Sequence, residues 1–290
     1  MDFRSFLQRV GPVSGLQFAL FRLAFGFYLC LNCAYLLPYA SEIFSRAGAI
    51  PDARLNYTYG LLPNPLEHWD SPMAVRVFVG AMVVLAVLYT VGSFRRTASI
   101  LLWYGWACLF NRNLLINNPS LPYIGQLLLL SALVPAGEPF TLSNPGRSPT
   151  QDWYFPRGVF TTAWILMCVG YAFSGWAKLK SPSWIDGSAL VHILACPMAR
   201  LNMFQRAFLR LPSLWSRLAT WSVLVLELGF LPLCLNRWTR LWAWGMMVCL
   251  HVMVLLTLDL ADLSWGMLML HFFTFDPRWL LTPRYGRLGP

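Results

Sequence analysis

Apolar runs of about 20 residues recur along this chain, parted by connections that carry most of its prolines and most of its arginines. Few folds accept that pattern. A run of this length and apolarity crosses a bilayer as a helix about 30 Å long. In lipid every backbone N–H and C=O must be paired within the protein, so only helices and closed barrels span it. Barrel strands alternate apolar and polar residues, and these runs do not. The sequence therefore predicts an all-α, polytopic integral membrane bundle. Only 12% of the residues are charged, against roughly 25% in soluble domains. With 290 residues nearly all taken up by apolar runs and short links, a single transmembrane domain over 1–290 is expected, with no separate soluble domain.

Eight spans are expected, at about 15–38, 72–93, 97–112, 117–135, 157–177, 214–235, 239–258 and 263–275. The polar 39–71 segment is long enough to cap one membrane face, and 178–212, half polar and half apolar, reads as a re-entrant or interfacial helical segment. The arginines set the orientation, because basic residues favour the cytoplasmic side. With the N-terminus inside, the inner connections hold Arg4, Arg9, Arg95, Arg96, Arg147, Arg157, Arg237, Arg240, Arg278, Arg284 and Arg287. The outer side then receives Glu42, Asp52, Glu67 and Asp70, together with Lys178, Lys180 and the arginines of 200–217, which pull the other way. Residues 1–14 contain no apolar core or cleavage site of a signal peptide. The net charge of +10 is spread over these connections. It points to anionic lipid as the partner, not to nucleic acid. Seven cysteines show no CxxC pair with metal or redox context, and no metal-ligand spacing, Walker loop, GxSxG or dinucleotide glycine pattern is present.

Candidate chemistry lies in the polar residues that interrupt the apolar runs. Lys178 and Lys180 are the only lysines among 22 basic residues, and both follow the fifth run directly. An arginine stays protonated almost anywhere, whereas a lysine can lose its proton and serve as a base. Snorkelling of both lysines to the lipid interface is the simpler alternative. Arg22, Glu227, His251 and His271 fall at span depth, where an ionisable group is costly and is paired or functional. Arg22 and Glu227 are expected to face the interior as structural charges that neutralise one another. His251 is a candidate catalytic group, and His271 a hydrogen-bonding one. Asn117, Asn118 and Ser120 open the fourth run, where they cap a helix or present donors to a ligand. Trp103, Trp106 and Trp176 are candidates to line a cavity for a flat ring.

Several fragments, in order along nearly the whole chain, carry a resemblance. They are Phe21-Arg22-Leu-Ala-Phe-Gly26; Asn117-Asn118-x-Ser120-x-x-Tyr123; Phe173-Ser-Gly175-x-x-Lys178-Leu-x-x-x-x-Trp184-x-Asp-Gly187; then Glu227, His251, Gly266 and Asp276-Pro-x-Trp279. With these fragments the chain resembles the HTTM (horizontally transferred transmembrane) domain family and is similar to the membrane domain of vitamin K-dependent gamma-carboxylase. The resemblance implies a cavity for a reduced quinone like vitamin K hydroquinone, or for another lipophilic ligand. It implies Lys178 as the base, with His251 as a second catalytic group and Asn117, Asn118, Ser120, Tyr123 and Trp184 as ligand-binding residues. It also implies lyase or oxidoreductase-type chemistry on a peptide or protein substrate, or a part in peptide maturation, in a multi-pass protein of the bacterial cytoplasmic membrane. Two departures separate the chain from the carboxylase. Pro119 stands where the carboxylase has a histidine, and the carboxylase's large soluble luminal region has no counterpart in these 290 residues. A non-enzymatic accessory or scaffold protein, binding a partner through 39–71 and 178–212, is the competing expectation.

Overall fold

A computed structural model describes residues 11–142, 144, 145, 148 and 153–280. The described residues form helices joined by turns, with two isolated bridge pairs and no strand among them. The helices are α1 (Gly15–Leu36), α2 (Ala40–Phe44), α3 (Pro72–Thr90), α4 (Arg95–Arg112), α5 (Leu121–Leu133), α6 (Arg157–Lys178), α7 (Pro182–Ile185), α8 (Ala189–Ala195), α9 (Met203–Leu209), α10 (Ser213–Leu235), α11 (Arg237–Thr257) and α12 (Ala261–Thr274). Arg4, Arg9, Arg147, Arg284 and Arg287, used above for orientation, lie outside the described residues.

Five stretches are long and apolar enough to cross a membrane: α1, α3, α6, α10 and Trp238–Thr257 of α11. The other three expected spans are helical but fall short. The 13 residues of α5 and the 14 of α12 rise only about 20 Å at 1.5 Å per residue, less than the hydrocarbon thickness of about 30 Å. α4 is longer, but it begins with Arg95-Arg96 and ends with Asn111-Arg112, which dilute its apolarity. The 178–212 segment resolves into the short helices α7, α8 and α9.

The chain divides into two compact units, one ending at Phe160 and the other starting at Thr161. In the first unit α1 packs on α3, α3 on α4, and α4 on α5. The buried face of α1 is Phe18, Phe21, Arg22, Phe25, Leu29 and Cys33, the three-to-four-residue spacing of one helical side. Its opposite side shows Leu16, Leu20, Phe27, Leu31 and Tyr35 to the surroundings. A helix apolar all round is a lipid-facing helix. Gly26 allows the close packing of α1 on α3: a Cβ there would stand 2.9 Å from Thr90 Cα. The 39–71 segment is fastened to the end of α4 by backbone acceptors. Asn56 Nδ2 donates to the Arg112 carbonyl at 3.0 Å, Asn64 Nδ2 to Cys108 at 3.0 Å, and Arg112 to Ile50 at 2.9 Å.

In the second unit α10 packs on α11, α11 on α12, and α8 on both α9 and α10. α6 meets α10 at Gly175, where a Cβ would lie 2.9 Å from Leu228 Cγ and 3.1 Å from Leu228 N. Pro232, inside α10, lacks the N–H that would bond the Leu228 carbonyl, which marks the same stretch as irregular. The seven cysteines are all free thiols.

Candidate functional site

α6 delivers three polar side chains on one face. Tyr171, Ser174 and Lys178 are spaced i, i+3 and i+7, so they stack along the same side of the helix. Gly175 brings α10 close enough for Glu227 to meet this column. Lys178 Nζ donates to Glu227 Oε1 at 2.8 Å, to Oε2 at 2.6 Å and to Ser174 Oγ at 2.7 Å. The carboxylate is 7% exposed and the lysine 21%, so the pair sits at the edge of the core with the ammonium toward its mouth. Trp184 of α7 covers the lysine, its ring centroid 5.1 Å from Nζ, in the geometry of a cation–π contact. Lys180, two residues on, is exposed. The turn after Trp184 is closed by Asp186, whose Oδ1 accepts from Ser188 N at 2.8 Å. Those Ser188 bonds hold the Asp186 carboxyl below its usual range, with Arg217 and His192 adding to the effect.

One turn deeper on the same face, Tyr171 meets two buried histidines. Its hydroxyl is 2.9 Å from His251 Nε2 of α11 and 3.4 Å from His271 Nε2 of α12. His271 Nδ1 is 2.9 Å from the Met267 carbonyl oxygen. Phe230 packs edge-on to Tyr171 at 4.7 Å, and Trp244 lies 5.7 Å from His271, which makes the surroundings apolar.

The first unit holds an aromatic cavity of about 300 Å³, with walls that include Trp103, Trp106, Phe110, Asn111, Asn117 and Asn118. Trp106 and Phe110 lie 4.7 Å apart, tilted by 51°. Gly125 of α5 forms part of the wall opposite, 3.5 Å from Trp103 when a Cβ is placed on it. The amides at its mouth are partly committed. Asn118 Oδ1 accepts from Ser120 N at 2.9 Å and from Ser120 Oγ at 2.6 Å, which leaves its Nδ2 as the donor. Asn111 Nδ2 donates to Ala107 at 2.9 Å, which leaves its oxygen as an acceptor. Ser120 is buried and serves the turn, and Tyr123 is half-buried on α5; neither is among the cavity walls. Trp176 is 58% exposed.

Both structural charges are buried, Arg22 fully and Glu227 nearly so, but each has a partner other than the one expected. Arg22 Nε lies 3.4 Å from Glu138 Oε1, and Arg95 Nε lies 2.7 Å from the same oxygen. The two guanidinium groups spend their remaining N–H groups on backbone carbonyls. Arg22 reaches Thr90 and Phe140, and Arg95 reaches Ser131, Val134 and Pro135. Glu138 sits in a connection, where neither hydrophobicity nor helical spacing marks it, and that is why span-depth reasoning passed over it. Tyr171 was missed for a related reason: a tyrosine in an apolar run reads as core until its hydroxyl is placed. Of the expected ligand-binding set, Asn117 and Asn118 share the aromatic cavity in the first unit, while Trp184 joins Lys178 in the second, where His251 also lies.

Comparison with curated proteins and with solved structures gives no match for the chain. The HTTM domain matches residues 11–279, from just before α1 to the turn beyond α12. That span takes in every element described above, so the chain belongs to the HTTM domain family.

Proposed function

We propose that this HTTM-family membrane protein binds a quinone-type ring in the cavity between α4 and α5 and carries a lysine base, Lys178, in a reaction that matures or modifies a peptide. The observation that carries the binding half is the cavity itself. Its walls are Trp103, Trp106 and Phe110, and its mouth offers a carboxamide donor from Asn118 and an acceptor from Asn111. A pocket with apolar walls and a few oriented polar groups is how proteins hold flat lipophilic ligands. About 300 Å³ is at the lower end of ligand pockets, which suits a ring with its tail in lipid.

The proton-handling half rests on Lys178. As an ion pair the lysine carries its proton and Glu227 does not. Transfer of that proton to the carboxylate gives a neutral amine beside a neutral acid. The amine can then take the proton of a hydroxyl presented to it, leaving that oxygen as its anion and the lysine protonated again. In this reading α4, α5 and α12 also lie within the membrane, giving eight membrane segments. The N-terminus is cytoplasmic, α7 to α9 lie at the interface, and the protein resides in the bacterial inner membrane.

Tryptophan fluorescence tests the binding half, because quinones quench nearby indoles. A short-chain naphthoquinone should quench the purified protein saturably, and Gly125→Leu, which fills the cavity, should remove the saturable component. Quenching that stays linear with concentration, or is equal in the variant, rejects the site. A second reading is favoured by one observation. The 39–71 segment exposes Leu55, Tyr57, Leu61 and Trp69, each at 70% or more, a surface that suits an accessory protein docking a partner. Co-purification of one stoichiometric partner, lost on Tyr57→Lys with Trp69→Lys, together with no quinone binding, would select that reading.

A further inference from the structure

The hydrogen bonds around Tyr171 have a direction, and it fixes the state of His251. The Met267 carbonyl oxygen can only accept, so His271 Nδ1 at 2.9 Å carries the hydrogen and His271 Nε2 is a bare lone pair. The Tyr171 hydroxyl has one proton and two imidazole neighbours, His251 Nε2 at 2.9 Å and His271 Nε2 at 3.4 Å. If that proton goes to His271, His251 donates its own Nε2–H to the tyrosine oxygen. Both contacts are then made, and His251 Nδ1 is left as a lone pair. If the proton goes to His251 instead, His271 Nε2 loses its donor and His251 Nδ1–H has no acceptor. Two buried groups are then unpaired in place of one, and each unpaired group carries the cost of desolvation without compensation. The first arrangement is the stable one.

We propose that Met267, His271 and Tyr171 lock His251 in its Nε2–H tautomer, so that its Nδ1 accepts a hydrogen bond from the hydroxyl of a lipophilic alcohol or phenol. His251 is 7% exposed, and its Nδ1 is buried without a hydrogen-bond partner. A buried lone pair in that state is completed by a donor. The groups packed nearby, Phe230 on Tyr171 and Trp244 on His271, favour one whose remainder is apolar. Tyr171 and His271 are positioning residues; His251 is the group that meets the ligand. The inference uses only the second unit and stands whether or not a ring binds between α4 and α5.

Nitrogen NMR of the full chain in lipid nanodiscs, labelled with ¹⁵N-histidine, tests it. The protein has four histidines; His68 and His192 are exposed and serve as references, and His251→Asn and His271→Asn assign the buried pair. The expected spectrum has opposite tautomers, Nε2–H at His251 and Nδ1–H at His271. Tyr171→Phe should release His251 into a mixture of tautomers while His271, still bonded to Met267, keeps its own. Phenol should shift the His251 Nδ1 signal saturably and leave the other three histidines unmoved, and anisole, which has no donor, should not. An Nδ1–H tautomer at His251 overturns the lock. Phenol that shifts no histidine, because water already fills the place, or that shifts all four alike, overturns the ligand position.

Discussion

Removing either partner of the Lys178–Glu227 pair should cost stability unequally, and the inequality follows from burial. Truncating one member of a buried pair leaves the other charge uncompensated, at about 3–5 kcal/mol. Glu227 is 7% exposed and Lys178 is 21%. A carboxylate stranded by Lys178→Met has no route to water from the middle of α10 and should incur most of that cost, about 3 kcal/mol or more. An ammonium stranded by Glu227→Gln sits at the end of α6 on a flexible stem and can swing outward, so its loss should be nearer 1–2 kcal/mol. The double variant should recover part of the sum, because two neutral groups then face each other, giving a coupling of about 2 kcal/mol. SDS-driven unfolding of the four proteins in mixed micelles closes the cycle. A coupling below about 0.5 kcal/mol, the scatter expected of independent sites, would refute the reasoning. So would a Glu227→Gln cost exceeding that of Lys178→Met.

Glu138→Gln should destabilise the first unit by about 3–5 kcal/mol, because Arg22 and Arg95, at 0% and 3% exposure, share that one carboxylate; the same unfolding assay measures it, with exposed Arg76→Gln as a near-neutral control. Gly26→Ala should cost about 1–3 kcal/mol, since its methyl would stand 2.2 Å from Thr90 Oγ1 and force α1 off α3; a thermal melt unchanged from wild type would contradict the close approach. Lys178→Arg should abolish oxygen uptake driven by a reduced short-chain quinone, because arginine cannot give up its proton near neutral pH, whereas Lys180→Arg should leave it intact; equal effects remove the lysine from the chemistry.

The helices were legible because lipid imposes a simple rule on sequence. Long apolar runs had to become helices, and α1, α3, α6, α10 and α11 fall where the runs do. Span count was less legible, because α5 and α12 are apolar but short, and composition does not reveal where a helix stops when a turn such as that of Asn118 and Ser120 consumes the start of the run. Arg22 and Glu227, which charge at span depth singles out, are both buried. Their partners could not be read, since pairing depends on which helices touch. Arg22 meets Glu138 from a connection, and Lys178 meets Glu227 because Gly175 lets α6 and α10 approach. The cavity shows the same limit. Trp103 and Trp106 were visible as candidates, but Trp176, equally aromatic, faces outward, and Gly125, whose missing side chain helps leave the space open, gives no signal in sequence. Tyr171 and its two histidines come from three helices, so their meeting had no local signature.

The central claim is that a quinone-type ring occupies the α4–α5 cavity, and native-lipid mass spectrometry tests it most directly. The protein is extracted gently from its own membrane, and bound small molecules are quantified beside those of the Gly125→Leu variant. A quinone near one per chain is expected in the wild type, and only the bulk-membrane ratio in the variant. A wild-type preparation carrying quinone at no more than the bulk ratio would contradict it.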